Sequence, residues 1–211
     1  MKIGLSGPGG TGKGTISRSI ALKVPNVCRI DSPTEFFGKI SMPNSKSFKD
    51  ITDESRKIFQ YSAVSAQIQN ERFLNHRGVG YVSERSVFDF LAYFSVDGTE
   101  NEEYKKYEDY VLRAYNLNPY DIIFYCEPDF VPNGSSSPEG DSWKERDSDS
   151  RNIRHEFLKR KLFDEKIADN FCKATIIEKL SGSPSDRLSQ ACSVIKSLHE
   201  EKVPIVSIPV L

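Results

Sequence analysis

The stretch Lys2 to Thr15, KIGLSGPGGTGKGT, limits the fold more tightly than any other part of the chain. An apolar run, Ile3-Gly4-Leu5, leads to Gly7; four residues intervene before Gly12, Lys13, Gly14 and Thr15. That order predicts a buried strand that breaks into a glycine-rich turn and then opens a helix. Glycines leave backbone N–H groups free to converge, and the helix start adds unpaired N–H groups at the positive end of its dipole. Such a nest suits a triphosphate. Gly7, Gly9, Gly10, Thr11, Gly12, Lys13, Gly14 and Thr15 are the expected phosphate-binding residues, with Lys13 reaching the β- and γ-oxygens and the Thr15 hydroxyl reaching Mg²⁺.

The remaining chain alternates short apolar runs with amphipathic stretches. Residues 12–24 predict a helix with Ile16, Ile20 and Leu22 to Val24 on its apolar face, stopped by Pro25. A second strand over 26–30 delivers Asp31, with Glu35 close behind, and an irregular segment over 36–50 is placed as a loop over an acceptor. Residues 52–76 predict one long helix whose stripe Ile58, Tyr61, Val64, Ile68 and Phe73 belongs mostly in the core. Its polar residues Arg56, Gln60, Gln67, Gln69, Glu71 and Arg72 are expected to be largely solvated. Gln60, between Phe59 and Tyr61, is the one suited to hold a nucleobase edge. A third strand over 79–83 runs into Glu84-Arg85-Ser86 and a strongly apolar helix in which Asp89 is a candidate partner of Arg85. A charged helix over 101–115 precedes a continuous apolar strand, 121–126. Residues 130–149 form a loop or lid tip that enters a helix over 151–171. A fifth strand over 174–180, a small-residue loop (Ser181 to Arg187) and a last helix to about Glu201 follow. The loop offers backbone contacts to an adenine, or is an ordinary strand-to-helix turn. The expected fold is a three-layer, doubly wound α/β domain with a five-stranded parallel sheet, one domain over 1–211 with a lid over about 130–155.

In open parallel sheets ligands bind beyond the carboxyl ends of the strands. Asp31 is placed there to take a proton from an acceptor hydroxyl, with Glu35 as a rival. Glu84 suits a Mg²⁺ shell or an acceptor hydroxyl, and Arg85 suits phosphate oxygens. On the lid side Arg146 and Arg151 are the preferred cations for the transferring group, with Arg154 next. Basic and acidic residues nearly balance, 29 against 30, which argues against a nucleic-acid partner. The four cysteines show no metal-ligand spacing and are expected as reduced, mostly buried thiols. No apolar run reaches membrane-spanning length and no leader is recognised, so a cytoplasmic setting is expected and no membrane partner. A homodimer is left open.

GPGGTGKGT resembles the phosphate loop of nucleoside monophosphate kinases. FQYSA at 59–63 and SERS at 83–86 resemble segments of deoxynucleoside kinases, and ERSVFDFLAY is similar to thymidylate kinases and to ribosylnicotinamide kinase-like P-loop ATPases. The resemblance implies a P-loop nucleoside/nucleotide kinase using ATP and Mg²⁺ on a small nucleoside or nucleoside monophosphate. It also implies Asp31 as the base, Gln60 on the acceptor base, Glu84 and Arg85 on sugar or phosphates, and Arg146 and Arg151 on the lid. Deoxynucleoside kinases carry Glu-Pro where this chain has Asp31-Ser32-Pro33, and thymidylate kinases carry Asp where it has Glu84, so the acceptor stays open. Arg56 and Arg72 speak for a monophosphate, Asp31 and Gln60 for a nucleoside. The rival classes are a nucleotide-switched ATPase or GTPase and a kinase acting on modified bases in DNA. The chain lacks a guanine-reading Asn/Thr-Lys-x-Asp segment, and its charge balance disfavours DNA.

Overall fold

The computed structural model describes residues 1–34, 52–95, 100–128, 148–169 and 175–201. Glu35, Arg146, Cys172, the 36–50 loop, most of the expected lid and the tail beyond Glu201 lie outside the described residues. Five strands, β1 (Lys2–Ser6), β2 (Val27–Ile30), β3 (Gly80–Ser83), β4 (Ile122–Cys126) and β5 (Ile176–Leu180), form one sheet in the order β2-β3-β1-β4-β5. Every pairing is parallel, with Gly4 opposite Ser83 on one side of β1 and Ile123 on the other. The helices are α1 (Lys13–Lys23), α2 (Asp53–His76), α3 (Val87–Phe94), α4 (Glu102–Leu117), α5 (Ser148–Lys159) and α6 (Pro184–Glu201).

Side-chain alternation along the strands builds the two cores. Ile122, Phe124 and Cys126 of β4 point to the face that holds Ile16 and Ile20 of α1 and Ala191 and Ile195 of α6. Ile123 and Tyr125 point to the opposite face, among Val64 of α2, Phe88 of α3, Tyr107 of α4 and Leu158 of α5. The result is the expected three-layer α/β fold. Because β2 and β3 lie to one side of β1 and β4 and β5 to the other, the strand order reverses at β1. The carboxyl end of β1 therefore opens onto a crevice.

Local signals set the helix starts. The Thr52 hydroxyl accepts from the Ser55 N–H at 3.2 Å, and Asp53 and Glu54 fill the first turn of α2. Ser86 and Asp89 form a reciprocal capping box on α3. Asp89 is thus a cap rather than chiefly an intrahelical partner of Arg85.

Several expectations are corrected. Val64 and Ile68 are buried, but Ile58 and Phe73 are 57% and 61% exposed, because α2 presents only one stripe to the sheet. Conversely Gln60, Gln67 and Glu71 are buried on that stripe. Leu22 is exposed on α1. Cys28 is exposed on edge strand β2, whereas Cys126 is buried in β4 and its thiol is pushed up to about 11 by desolvation. The helix expected to run to 171 stops early. After α5 the backbone widens into a π turn over Arg160–Asp164, and Lys166 takes a φ of 48°, which a right-handed helix does not accommodate. That turn carries buried Lys161, whose ammonium lies 3.1, 2.9 and 2.9 Å from Glu100, Glu108 and Glu165.

Candidate functional site

The glycine-rich loop leaves β1 at Gly7, where φ is 135° and a Cβ would stand 2.5 Å from the Cys126 carbonyl oxygen. Only glycine fits both conditions. The Gly7 N–H donates to Asp89 Oδ1 at 3.0 Å, so α3 fixes the loop's first residue. The other Asp89 oxygen accepts the Ser86 N–H and hydroxyl, each at 3.0 Å. Burial pushes the Asp89 carboxyl up, and the charges of Lys13 and Arg85 pull it partly back. Farther along, the Thr11 hydroxyl donates to the Pro8 carbonyl at 3.0 Å and Gly12 caps α1 in the left-handed conformation. Lys13, buried at the helix start, donates to the carbonyls of Gly7 and Pro8, the latter at 2.8 Å. Its ammonium thus lies over the loop.

The carboxyl ends of β2 and β3 bring the acids to this rim. A Cβ on Gly14 would lie 3.0 Å from Glu84 Oε1, so the Glu84 carboxylate rests against the first turn of α1, the turn that carries Thr15 in sequence. A bulkier residue after Lys13 would push it away. Arg29 of β2 joins the cluster: it pairs with Asp31 at 2.6 Å and Glu84 at 2.8 Å, and its Nε donates to the Ser17 hydroxyl at 3.0 Å. Asp31 is otherwise open, with 74% of its side chain exposed. Thr15 is exposed as well. A hydroxyl and a carboxylate at one rim are hard oxygen donors of the kind Mg²⁺ takes, so the residues present fit the ion. Among the described residues no group of three or more His, Cys, Asp or Glu gathers to hold a metal.

Helix α2 backs the β3–α3 turn. Gln67 donates to the Arg85 carbonyl and to Glu71 Oε1 at 2.9 Å. Gln60 lies seven residues earlier and so on the same face, fully buried, with Oε1 unpaired among the described residues. Arg85 stacks on Tyr93, its guanidinium carbon 4.6 Å from the ring centroid, and Arg154 of α5 stacks on the same ring at 4.3 Å. Arg151 is half-buried on that helix. Of the other arginines, Arg56 pairs with Asp53 at 3.2 Å and Arg72 is exposed.

Three residues escaped the sequence reading. Arg29 and Tyr93 sit in unremarkable strand and helix patterns. Arg187, buried in the first turn of α6, donates to the carbonyls of Gly182, Thr11 and Glu127 at 2.9, 3.0 and 2.6 Å. It ties the loop after β5 to the phosphate loop and to the end of β4. Nothing in the local sequence marks it.

The sequence matches the family described as AAA domain over residues 2–177. The chain belongs to that family. Its fold is similar to that of a deoxyadenosine kinase. Deoxyadenosine kinase from M. mycoides with bound dCTP superposes with a TM-score of 0.61 at 16% identity, covering 93% of this chain and 100% of that one. The same kinase with bound dATP gives 0.60 at 16% identity, covering 93% and 99%. With the products dCMP and a flexible dCDP it gives 0.56 at 17%, covering 93% and 100%. No curated protein matches the sequence. Within this AAA-domain member no described helix is long and apolar enough to cross a membrane.

Proposed function

We propose that this protein is an ATP-dependent kinase that transfers the γ-phosphoryl group to a small nucleoside. The observation that carries the reading is the contact between Gly14 and Glu84, which joins the phosphate nest to the acid–arginine cluster at a single rim. Loop amides and Lys13 hold the triphosphate, and Thr15 and Glu84 would hold Mg²⁺, which would supply charge neutralisation to the phosphates. Asp31 takes the proton of the acceptor hydroxyl as the new P–O bond forms and the bond to ADP breaks. Arg85 offsets the charge on the transferring group, with Arg151 and Arg146 on the lid side. Catalysis is mainly positioning and charge neutralisation.

A nucleoside is favoured over a monophosphate by the α2 helix. Gln60 Oε1, unpaired among the described residues, is a buried acceptor that costs about 1–3 kcal/mol until an N–H donor, such as a base amine, meets it. Neither Arg56, paired with Asp53, nor exposed Arg72 supplies a buried cation for an acceptor phosphate. The fold-level neighbour from M. mycoides is named a deoxyadenosine kinase, which supports a nucleoside acceptor.

Labelled ATP offered with a panel of nucleosides and nucleoside monophosphates tests the reading. Nucleoside-dependent transfer is expected, and Lys13→Ala is expected to lower it by at least about a hundredfold with the circular dichroism unchanged. Stoichiometric nucleotide binding with no acceptor-dependent turnover would instead favour a nucleotide-switched binding protein.

A further inference from the structure

Tyr93, in the last turn of α3, has no part in the reading above, yet two arginines from separate parts of the chain stack on its ring and Lys13 acts on it electrostatically. Its hydroxyl stands 4.0 Å from where a Cβ on exposed Gly9 would lie, so it faces the outer rim of the phosphate loop. Arg85 stacks on the ring and hydrogen-bonds the hydroxyl, Arg154 stacks on the ring from α5, and Lys13 acts on the hydroxyl electrostatically. One Arg85 nitrogen, Nη1, is buried and unpaired among the described residues. Positive side chains repel one another, and the buried Asp89 carboxyl offsets only part of their charge, so two guanidiniums held on one ring beside the loop mark a place suited to further negative charge. Desolvation alone would raise the phenol; the charges of Arg85, Arg154 and Lys13 outweigh it and bring it down to about 8. Near neutral pH the group still carries its proton and donates.

The phosphate end that reaches this place follows from the loop. Amides toward α1 hold the inner phosphates, while the lysine ammonium reaches the β- and γ-oxygens. A hydroxyl in the field of Lys13 at the outer rim is therefore at the terminal phosphate. We propose that Tyr93 recognises the γ-phosphoryl group: its hydroxyl donates to a γ-oxygen, and its ring holds Arg85 and Arg154 as a clamp assembled before the nucleotide arrives. The site thereby distinguishes ATP from ADP. The inference rests on the loop being an ATP site.

Calorimetry with ATP and with ADP, both in Mg²⁺, on the wild type and on Tyr93→Phe, is the test. The variant keeps the ring and loses the hydroxyl. Its ATP-to-ADP affinity ratio is expected to fall about tenfold, with ADP affinity unchanged, the scale of one hydrogen bond to a charged group. Tyr93→Leu removes the ring too and is expected to lower the ratio further. A second readout is the ultraviolet absorbance of the phenolate. Burial pushes up Tyr81, Tyr104, Tyr107, Tyr115, Tyr120 and Tyr125, so an early phenolate signal lost in Tyr93→Phe belongs to Tyr93. ATP is expected to shift that titration upward, and ADP to leave it in place. A wild-type ATP-to-ADP ratio in Tyr93→Phe, with a titration indifferent to ATP, overturns the role of Tyr93 alone. Wild-type protein that binds neither nucleotide overturns the ATP site together with it.

Discussion

Glu71 shows how a buried carboxyl can serve the site without touching it. Its Oε1 accepts from Gln67 at 2.9 Å, from the Ser83 hydroxyl at 2.7 Å and from the Tyr120 hydroxyl at 2.7 Å. Gln67 in turn holds the Arg85 carbonyl, so the carboxyl positions the β3–α3 turn at one remove. Burial drives the group from an ordinary 4.5 up to about 7, against the pull of those hydrogen bonds and of Lys2. The folded state therefore holds the proton more tightly than the unfolded chain. The associated stability is complete below about pH 4.5 and is lost as pH rises through about 7, on the order of 3 kcal/mol in all. Glu71→Gln removes the ionisation and keeps an amide oxygen for the three donors. In urea unfolding between about pH 5 and pH 8 the wild type should lose stability relative to the variant, which should be the more stable at the alkaline end. Parallel curves for the two proteins would mean that Glu71 does not titrate in this range.

At the scale of elements, α3 is where the fold and the candidate site share one residue. Asp89 caps its own helix through Ser86 and reaches across to the Gly7 N–H, 82 positions away in sequence. Asp89→Ala would take this acceptor from the buried Gly7 N–H and Ser86 hydroxyl, while the Ser86 N–H keeps the Leu5 carbonyl, and is expected to cost about 2–4 kcal/mol in denaturant unfolding. It should also speed amide exchange at Gly7 beyond what the lost global stability explains. Exchange at Gly7 that merely tracks the rest of β1 would show that the loop holds its shape without α3. The capping box itself was open to a sequence reading, since Ser86 and Asp89 lie three apart ahead of an apolar run. So were the glycine-rich loop, the five strands and the Glu84-Arg85 turn, because each is written in contiguous residues. The sides of α2 were not. Its polar and apolar residues both recur at helical spacing, and only the packing against β3 and α4 decided that Gln60, Gln67 and Glu71 go inward while Ile58 and Phe73 stay out. Arg29 escaped for a similar reason: its meaning depends on Glu84, which stands beside it only because β2 and β3 pair in parallel, with Arg29 opposite Val82.

Over the whole molecule, the most distant ends of the site are joined by Arg187. Thr11 and Arg187 are 176 positions apart, and the guanidinium spans from the phosphate loop to the end of β4 and to the turn after β5. All three of these bonds go to backbone carbonyls, and the planar fork of the guanidinium suits acceptors on different sides at once. A lysine offers one compact ammonium and cannot reach all three. The loop after β5 was expected either to wrap an adenine or to be a plain turn. Its tie to Thr11 means that whatever orders this turn is felt by the phosphate loop. Arg187→Lys and Arg187→Leu should therefore behave alike, each losing about 3 kcal/mol of stability as one buried and two part-buried carbonyls lose this donor. Each should also weaken Mg²⁺-ATP binding at temperatures where the fold persists. Because α1 and α6 pack on the same face of the sheet, a loss of affinity could also come from a general loosening there. Arg187→Leu can be compared with Ile195→Ala, a core change on α6 away from the loops. If the two lower stability equally but only Arg187→Leu lowers ATP affinity, the guanidinium sets the geometry of the phosphate loop. Equal losses of affinity would place the coupling in the packing of α6 instead.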